Sequence, residues 1–437
     1  MTIPTTAPAV AGPLEAAGDS VYRKVAWRLV PLLFLCYIVA YLDRVNVGFA
    51  KLQMQADLQL TETVYGLGAG IFFVGYFLFE VPSNLVLHRY GARRWIARIM
   101  ITWGLLSAAM MLVKSPVSFY VLRFLLGAAE AGFFPGIILY LTYWFPAQRR
   151  SRVTSMFIAA IPVSGILGGP LSGWILKYMG GIAGMVGWQW MFLLQGLPTV
   201  LVGLLVLKYL DDRPAAARWL APHERDVIAR DMAAEQSHKA DSGIRSVLAS
   251  PRVWALALVY FAFVSGLYGV SFWLPSIIRG MGVADPLQIG LLSAVPWAFG
   301  VVAMYWVAAS ADRHLEQRWH AALAALTGAA GLVLSVAMHG NQWLAMAGLT
   351  LATMGIMATL PVFWALPTML LGGASAAAGI ALINSFGNLS GFSAPFLVGL
   401  IHDATHSTDA GLYMLAGWLV AGAALVLLVR PVRAPRQ

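Results

Sequence analysis

The ionisable side chains that fall inside otherwise apolar runs are few: Asp43 and Arg44, adjacent in AYLDRVNVGFA, Glu80 in FLFEVPSN, and Arg123 and Glu130 in RFLLGAAE. A charge at the centre of a membrane-crossing helix costs roughly 2.5–3.5 kcal/mol on insertion scales, so each must be paired, hydrated or in use. Arginine suggests one use in particular. Its planar guanidinium matches the two oxygens of a carboxylate, and Arg44 and Arg123 facing one central cavity would hold a small organic anion. A carboxylate beside them competes for the same donors. When Asp43 or Glu130 takes up a proton, its arginine is released to the anion, which links anion binding to proton binding. Arg123 and Glu130, seven residues apart, project from nearly one helix face, two turns from each other. Asp43 and Arg44 point about 100° apart, so one faces a cavity while the other meets a neighbouring helix. The alternative is a network of buried salt bridges that only locks the helices together, a weak source of stability.

The elements that must position these groups are membrane helices. The chain has 437 residues, 59% of them hydrophobic and 11% charged, against roughly 25% charged in soluble domains. Apolar runs of about the 20 residues that cross a bilayer recur near 25–51, 62–88, 95–113, 117–145, 152–178 and 189–210, then 253–279, 287–310, 319–338, 342–369, 374–401 and 410–430. No short alternating segments of a membrane barrel occur. The polar stretch Asp211–Arg252 holds the densest charge run and divides two bundles, 25–210 and 253–430, flanked by tails 1–24 and 431–437. The pI near 9.8 reflects membrane topology and not nucleic-acid binding. Arg23, Lys24, Arg28, Arg89, Arg93, Arg94, Arg98, Arg149, Arg150, Arg152, Arg313, Arg318, Arg430, Arg433 and Arg436 all fall on one side. Lys51, Lys114, Lys177 and Arg279 fall on the other. That asymmetry places both termini in the cytoplasm. Met1–Ser20 lacks a basic region followed by an apolar core, so no cleavable signal is expected. The lone Cys36 cannot form an intrachain disulfide.

The bundles look like repeats. HRYGARR after the second run and DRHLEQR after the eighth lie 224 residues apart, and the same offset carries Gly66 onto Gly290 and Arg44 onto Tyr268. Tyr268 is thus expected to offer a hydroxyl and ring to a central site where its counterpart offers a charge, or else to pack. Repeated six-helix units around a midplane site are a recurrent plan of secondary transporters. The glycines of GILGGPLSG (Gly165, Gly168, Gly169, Gly173) let helices approach closely, as static packing or as a seam on which bundles rock. His402 and His406 have the i, i+4 spacing of a metal pair, but no full ligand set accompanies them. No P-loop occurs, and no Ser-His-Asp or clustered His/Cys/acid set, so neither an ATP-driven pump nor an enzyme is indicated.

The stretches YLDRVNVGFA, FLFEVPSNLVLHRYGARRWIARIM and RFLLGAAEAGFFPGIILYLTYWFP resemble the anion:cation symporter branch of the major facilitator superfamily, over essentially the whole membrane portion. That branch includes bacterial permeases for sugar acids, tartrate and phthalate, and is related to sialin and the vesicular glutamate transporters. The resemblance implies an all-α fold of twelve transmembrane helices in two six-helix bundles, alternating access, and import of a small carboxylate with protons across the bacterial inner membrane. Protons would be the coupling ion, no other cofactor is implied, and a monomer is expected. By similarity, Arg44 and Arg123 bind substrate and Asp43 and Glu130 couple protons. Tyr41, Tyr76, Trp364 and Asn384 line the cavity, Asn384 being equally suited to an interhelical hydrogen bond. Asn388 fits packing better, and Glu80 reads as a gate or motif partner. The chain departs from the pattern where His88 stands in place of an aspartate, and where FIAAIPVSG lacks the glutamine with which sugar-acid permeases read hydroxyls. The second departure favours a less hydroxylated or aromatic acid. Exchange without protons and a sensor of the same fold remain alternatives.

Overall fold

The computed structural model describes residues 13–236, 249–370 and 373–429. The first twelve residues and Arg430, Arg433 and Arg436 lie outside them, as does the side chain of His88. Among the described residues every regular element is helical. The first half comprises α1 (Pro13–Asp57), α2 (Glu62–Tyr90), α3 (Ala92–Ala109), α4 (Pro116–Glu130), α5 (Phe133–Trp144), α6 (Ala147–Ile158), α7 (Ala160–Tyr178) and α8 (Gly187–Tyr209). After α9 (Pro222–Gln236) come α10 (Pro251–Gly280), α11 (Pro286–His314), α12 (Arg318–Ala337), α13 (Gln342–Leu370), α14 (Gly373–Asn388), α15 (Ser390–Thr405) and α16 (Asp409–Leu428). Among the described residues eleven spans have the length and hydropathy to cross a membrane, and α14 with α15 supplies the twelfth.

Three of the runs read from sequence as single helices are interrupted. The α4–α5 junction breaks at Ala131 and Gly132, the latter at φ +85°. There a left-handed backbone favours glycine, and a Cβ would strike the Ser83 side chain. Lesser breaks fall at Ala159 and Leu389. The central polar segment is not featureless either. Its helix α9 starts at Pro222, and Glu224 accepts from the Ala221 amide at 2.8 Å, an arrangement that suits a helix N-terminus. It docks on the long α1, with Tyr22 donating to Asp231 (3.0 Å), Lys24 paired with Glu224 (2.7 Å) and Ile228 fully buried. The Lys24 hydrogen bond holds the Glu224 carboxyl below the usual glutamate range.

Two glycine-lined seams join the halves on either side of the contact between α1 and α10. In one, Gly169 and Gly173 of α7 lie on Gly290 and Pro286 of α11, while Gly165 lies on the Trp297 ring. In the other, Gly66 and Gly70 of α2 lie on the backbone of Pro395 and Phe392 of α15. Gly66 and Gly290, related by the repeat offset, thus occupy the two seams. Both seams close toward the face opposite the arginine-rich loops. There the Asp403 carboxylate accepts from the Glu62 and Thr63 amides (3.1 and 2.8 Å), Arg279 donates to the Leu52 carbonyl (2.7 Å), and Lys177 pairs with Asp285 (2.9 Å).

Candidate functional site

Arg44 sits in the second half of α1, where α1 meets α2, α4 and α10. Its guanidinium is 7% exposed and forms an ion pair with Glu130, which is fully buried. Glu130 is the last residue of α4, an end of the helix dipole that disfavours a bare carboxylate, and Arg44 offsets that. A second Arg44 nitrogen lies 3.4 Å from the Tyr268 hydroxyl, so residues related by the internal repeat touch across the two halves. Tyr268 in turn donates to Asn388 Oδ1 at 3.4 Å. The Phe72 and Tyr76 rings each lie 5.5 Å from the guanidinium carbon, within cation–π range. Arg44 Nε and Glu130 Oε2 remain buried without hydrogen-bond partners, so the pair keeps one donor and one acceptor to offer.

Arg123 is turned differently. Its Nε donates to the Gly68 carbonyl (3.1 Å) and Nη2 to the Ala69 carbonyl (2.9 Å), tying α4 to α2, and no part of it is exposed. The Phe72 ring lies within cation–π range of both guanidiniums, 4.9 Å from that of Arg123. The arginines therefore share a ring, with Arg123 bound to the backbone carbonyls of α2 and Arg44 to Glu130. Glu130 pairs with Arg44 and not with the arginine of its own helix. Asp43, one residue before Arg44, points away from it into the first half, accepting from Trp103 Nε1 (3.0 Å), Ser107 (2.9 Å) and Thr199 (2.8 Å). All three partners are neutral.

Tyr41 lies on the other flank of Arg44, its hydroxyl 3.4 Å from Ser271 Oγ and its ring edge-on to Trp297. Ser271 and Trp297 also line a cavity of about 20 Å³, room for one water. Trp364 lies against the Tyr260 ring (4.8 Å), two turns along α10 from Tyr268, and Asn384 is half-buried on α14. Glu80 accepts from Ser385 at 3.2 Å, joining α2 to α14. The structure thus gathers Arg44, Glu130, Tyr76 and Tyr268 into one cluster with Tyr41 beside it. It sets Arg123 against Phe72, Asp43 among polar groups of α3 and α8, and Trp364 and Asn384 farther along the second half.

Sequence reasoning passed over Asn46, 1% exposed with both amide atoms unpartnered at the edge of that cavity. A polar amide two residues after Arg44 was the available signal. Asn388, assigned to packing, reaches Tyr268. Lys51, counted with the basic groups of the opposite side, is 3% exposed.

Comparison with known proteins agrees with this architecture. The sequence pattern described as Major Facilitator Superfamily matches residues 33–395. An Agrobacterium vitis protein named "Putative tartrate transporter" is 51% identical over 94% of this chain and 94% of its own. The NicT metabolite transport protein of Pseudomonas putida, named with the same qualifier, is 44% identical over 95% of each chain. The Escherichia coli inner membrane transport protein RhmT is 38% identical over 96% and 97%. Among solved structures, a bacterial homologue of the human lysosomal transporter Spinster, inward-facing and occupied, superposes with a TM-score of 0.77 at 15% identity, covering 93% of this chain and 97% of that one. The inward-open xylose transporter XylE of Escherichia coli gives 0.72 at 16%, covering 94% and 98%. Twelve membrane helices in two halves and a pattern that spans most of the sequence lead to one conclusion: the chain is a multi-pass membrane transporter that belongs to the Major Facilitator Superfamily.

Proposed function

We propose that the protein imports a small organic carboxylate across the bacterial inner membrane together with protons, by alternating access, with its arginine-rich face in the cytoplasm. The observation that carries this reading is the buried Arg44–Glu130 pair at the junction of the two halves, with one nitrogen and one oxygen unpartnered. A guanidinium in that place is matched to a carboxylate, and the carboxylate it already holds is the group an incoming anion must displace. Protonation of Glu130 removes the competitor, so proton and anion bind together. Tyr41, Tyr76 and Tyr268 surround the anion, and Trp364 and Asn384 extend the pocket along the second half. Arg123 joins as the second cation on leaving the Gly68 and Ala69 carbonyls. Asp43 is the second proton site, within its cage of three neutral donors.

The names of the relatives at 50% and 51% identity support tartrate as the first candidate. The apolar stretch FIAAIPVSG keeps aromatic acids such as phthalate as the second. The test is uptake of labelled tartrate and phthalate into proteoliposomes with and without an inward proton gradient. Accumulation above equilibrium only with the gradient supports symport. Exchange of internal for external anion without any pH dependence replaces it with an exchanger, and absence of any anion movement alongside specific binding replaces it with a sensor.

A further inference from the structure

Seven residues beyond Arg44 on the same face of α1, about 10.5 Å closer to the opposite membrane face, stands Lys51. Its surroundings repeat those of Arg44. Lys51 pairs with a glutamate, Glu62, at 2.5 Å, and lies over two rings, Trp273 at 3.7 Å and Tyr65 at 4.8 Å. Tyr65 itself stands seven residues before Phe72, the ring under Arg44, on α2. The cation and one ring of each unit thus recur at a seven-residue spacing on α1 and α2, while Glu130 of the inner unit comes from α4 and Trp273 of the outer one from α10. The outer cation and its ring are enclosed, with Lys51 3% and Trp273 1% exposed, while Glu62 keeps 16% of its side chain exposed. The outer unit is also incompletely satisfied: Trp273 Nε1 and His402 Nδ1 are buried without hydrogen-bond partners, and the His402 ring stacks on Trp273. Trp273 and His402 belong to the second half and Lys51 to the first, so parting of the halves on this face uncovers the lysine.

We propose that Lys51 is a second anion-binding site, an outer station that receives the carboxylate substrate when this face opens and passes it two turns inward to Arg44. This rests on the function proposed above and adds to it a residue that acts on one side of the membrane only. In the closed state Glu62 occupies the lysine, and Asp403 and Arg279 hold the seam around it. In the open state Trp273, Arg279 and Asp403 move off with the second half, and a guest carboxylate shares Lys51 with Glu62. Burial against Trp273 accounts for how a lysine is kept at this depth without substrate.

The test is the sidedness of transport. Initial rates of labelled tartrate are measured into intact cells, where substrate meets the outer face, and into inside-out vesicles, where it meets the inner one. Lys51→Gln is expected to raise the outer KM about tenfold and leave the inner KM within twofold, with the maximal rate from the inner side falling in proportion, as the unchanged overall equilibrium requires. Lys51→Arg is expected to restore most of the outer affinity. An inner KM within twofold of the wild type shows that the Gln variant is folded. An unchanged outer KM overturns the proposal, as does an equal change on both sides, which is the mark of a lock between the halves. If wild-type protein moves no carboxylate from either side, it is the proposed function that fails.

Discussion

Replacing Glu130 by glutamine removes the anionic partner of a guanidinium that is 7% exposed while keeping the side chain's shape. Losing one member of a buried ion pair costs about 3–5 kcal/mol. The Tyr268 hydroxyl remains, but at 3.4 Å it is a long contact that offsets little of this. A substrate carboxylate is the group that restores the balance. In the wild type an incoming anion must displace Glu130 and gains only the difference between two carboxylates. In the variant it meets an unpaired Arg44 and recovers most of the deficit. Taking the lower figure, about 3 kcal/mol, the variant should bind substrate about a hundredfold tighter at neutral pH. Protonation of Glu130 in the wild type has the same effect as the substitution, so wild-type affinity should rise as pH falls more steeply than that of the variant, in which Asp43 alone remains to couple protons. Titration calorimetry of purified protein at neutral and mildly acidic pH reads both. The same variant should lose proton-driven accumulation in vesicles and retain some exchange. A dissociation constant equal to or weaker than that of the wild type, or full accumulation, would refute the reasoning.

Arg123→Lys keeps a charge but cannot make both carbonyl bonds to Gly68 and Ala69. Uptake should fall at least tenfold, about one lost charge-assisted hydrogen bond, and unchanged uptake removes Arg123 from the site. Gly66→Val places side-chain carbons on the Pro395 carbonyl, so this seam should no longer close. Cysteines introduced near Leu60 and Ser407 should then label faster with a membrane-impermeant reagent, and wild-type labelling rates would contradict the account. Glu224, whose carboxyl is held below its ordinary value of 4.5, mainly by Lys24, contributes to docking of α9 above that value and loses the contribution as pH falls through its lowered one. With Lys24 nearly half exposed the contribution is small. Protection of the α9 amides relative to their intrinsic exchange rates should fall modestly at acid pH in the wild type and already at neutral pH in Glu224→Gln.

The twelve spans and the relation between the halves were legible because lipid imposes length and hydropathy on every crossing, and the offset that pairs Arg44 with Tyr268 turned out to be a physical contact. The kinks were not. GAAEAGFF reads as helix throughout, and only the structure shows Gly132 leaving it at φ +85°, where a Cβ would meet Ser83. Helix α9 escaped notice because Ile228, the one buried apolar side chain among its described residues, sets no amphipathic period. For the site, the sequence could name the charged residues but not their partners. Arg123 and Glu130 share a face of one helix, yet each turns to a group on a different helix, a choice made by packing of α2 and α1. Lys51 illustrates the same limit in reverse, since a lysine near the end of an apolar run looks solvated until Trp273 is seen covering it.

The glycine seams bear on the thermodynamics of the transport cycle. Covering a leucine or methionine freezes its rotamers at a cost of about 0.5–2 kcal/mol, and uncovering it returns that amount, whereas glycine has no rotamers to freeze. Contacts such as Gly169 on Gly290 can therefore be made and broken with little change in side-chain disorder. In the alternating-access cycle proposed above, such surfaces add little side-chain entropy to the difference between the two end states, and a modest proton gradient would suffice to choose between them on each turnover.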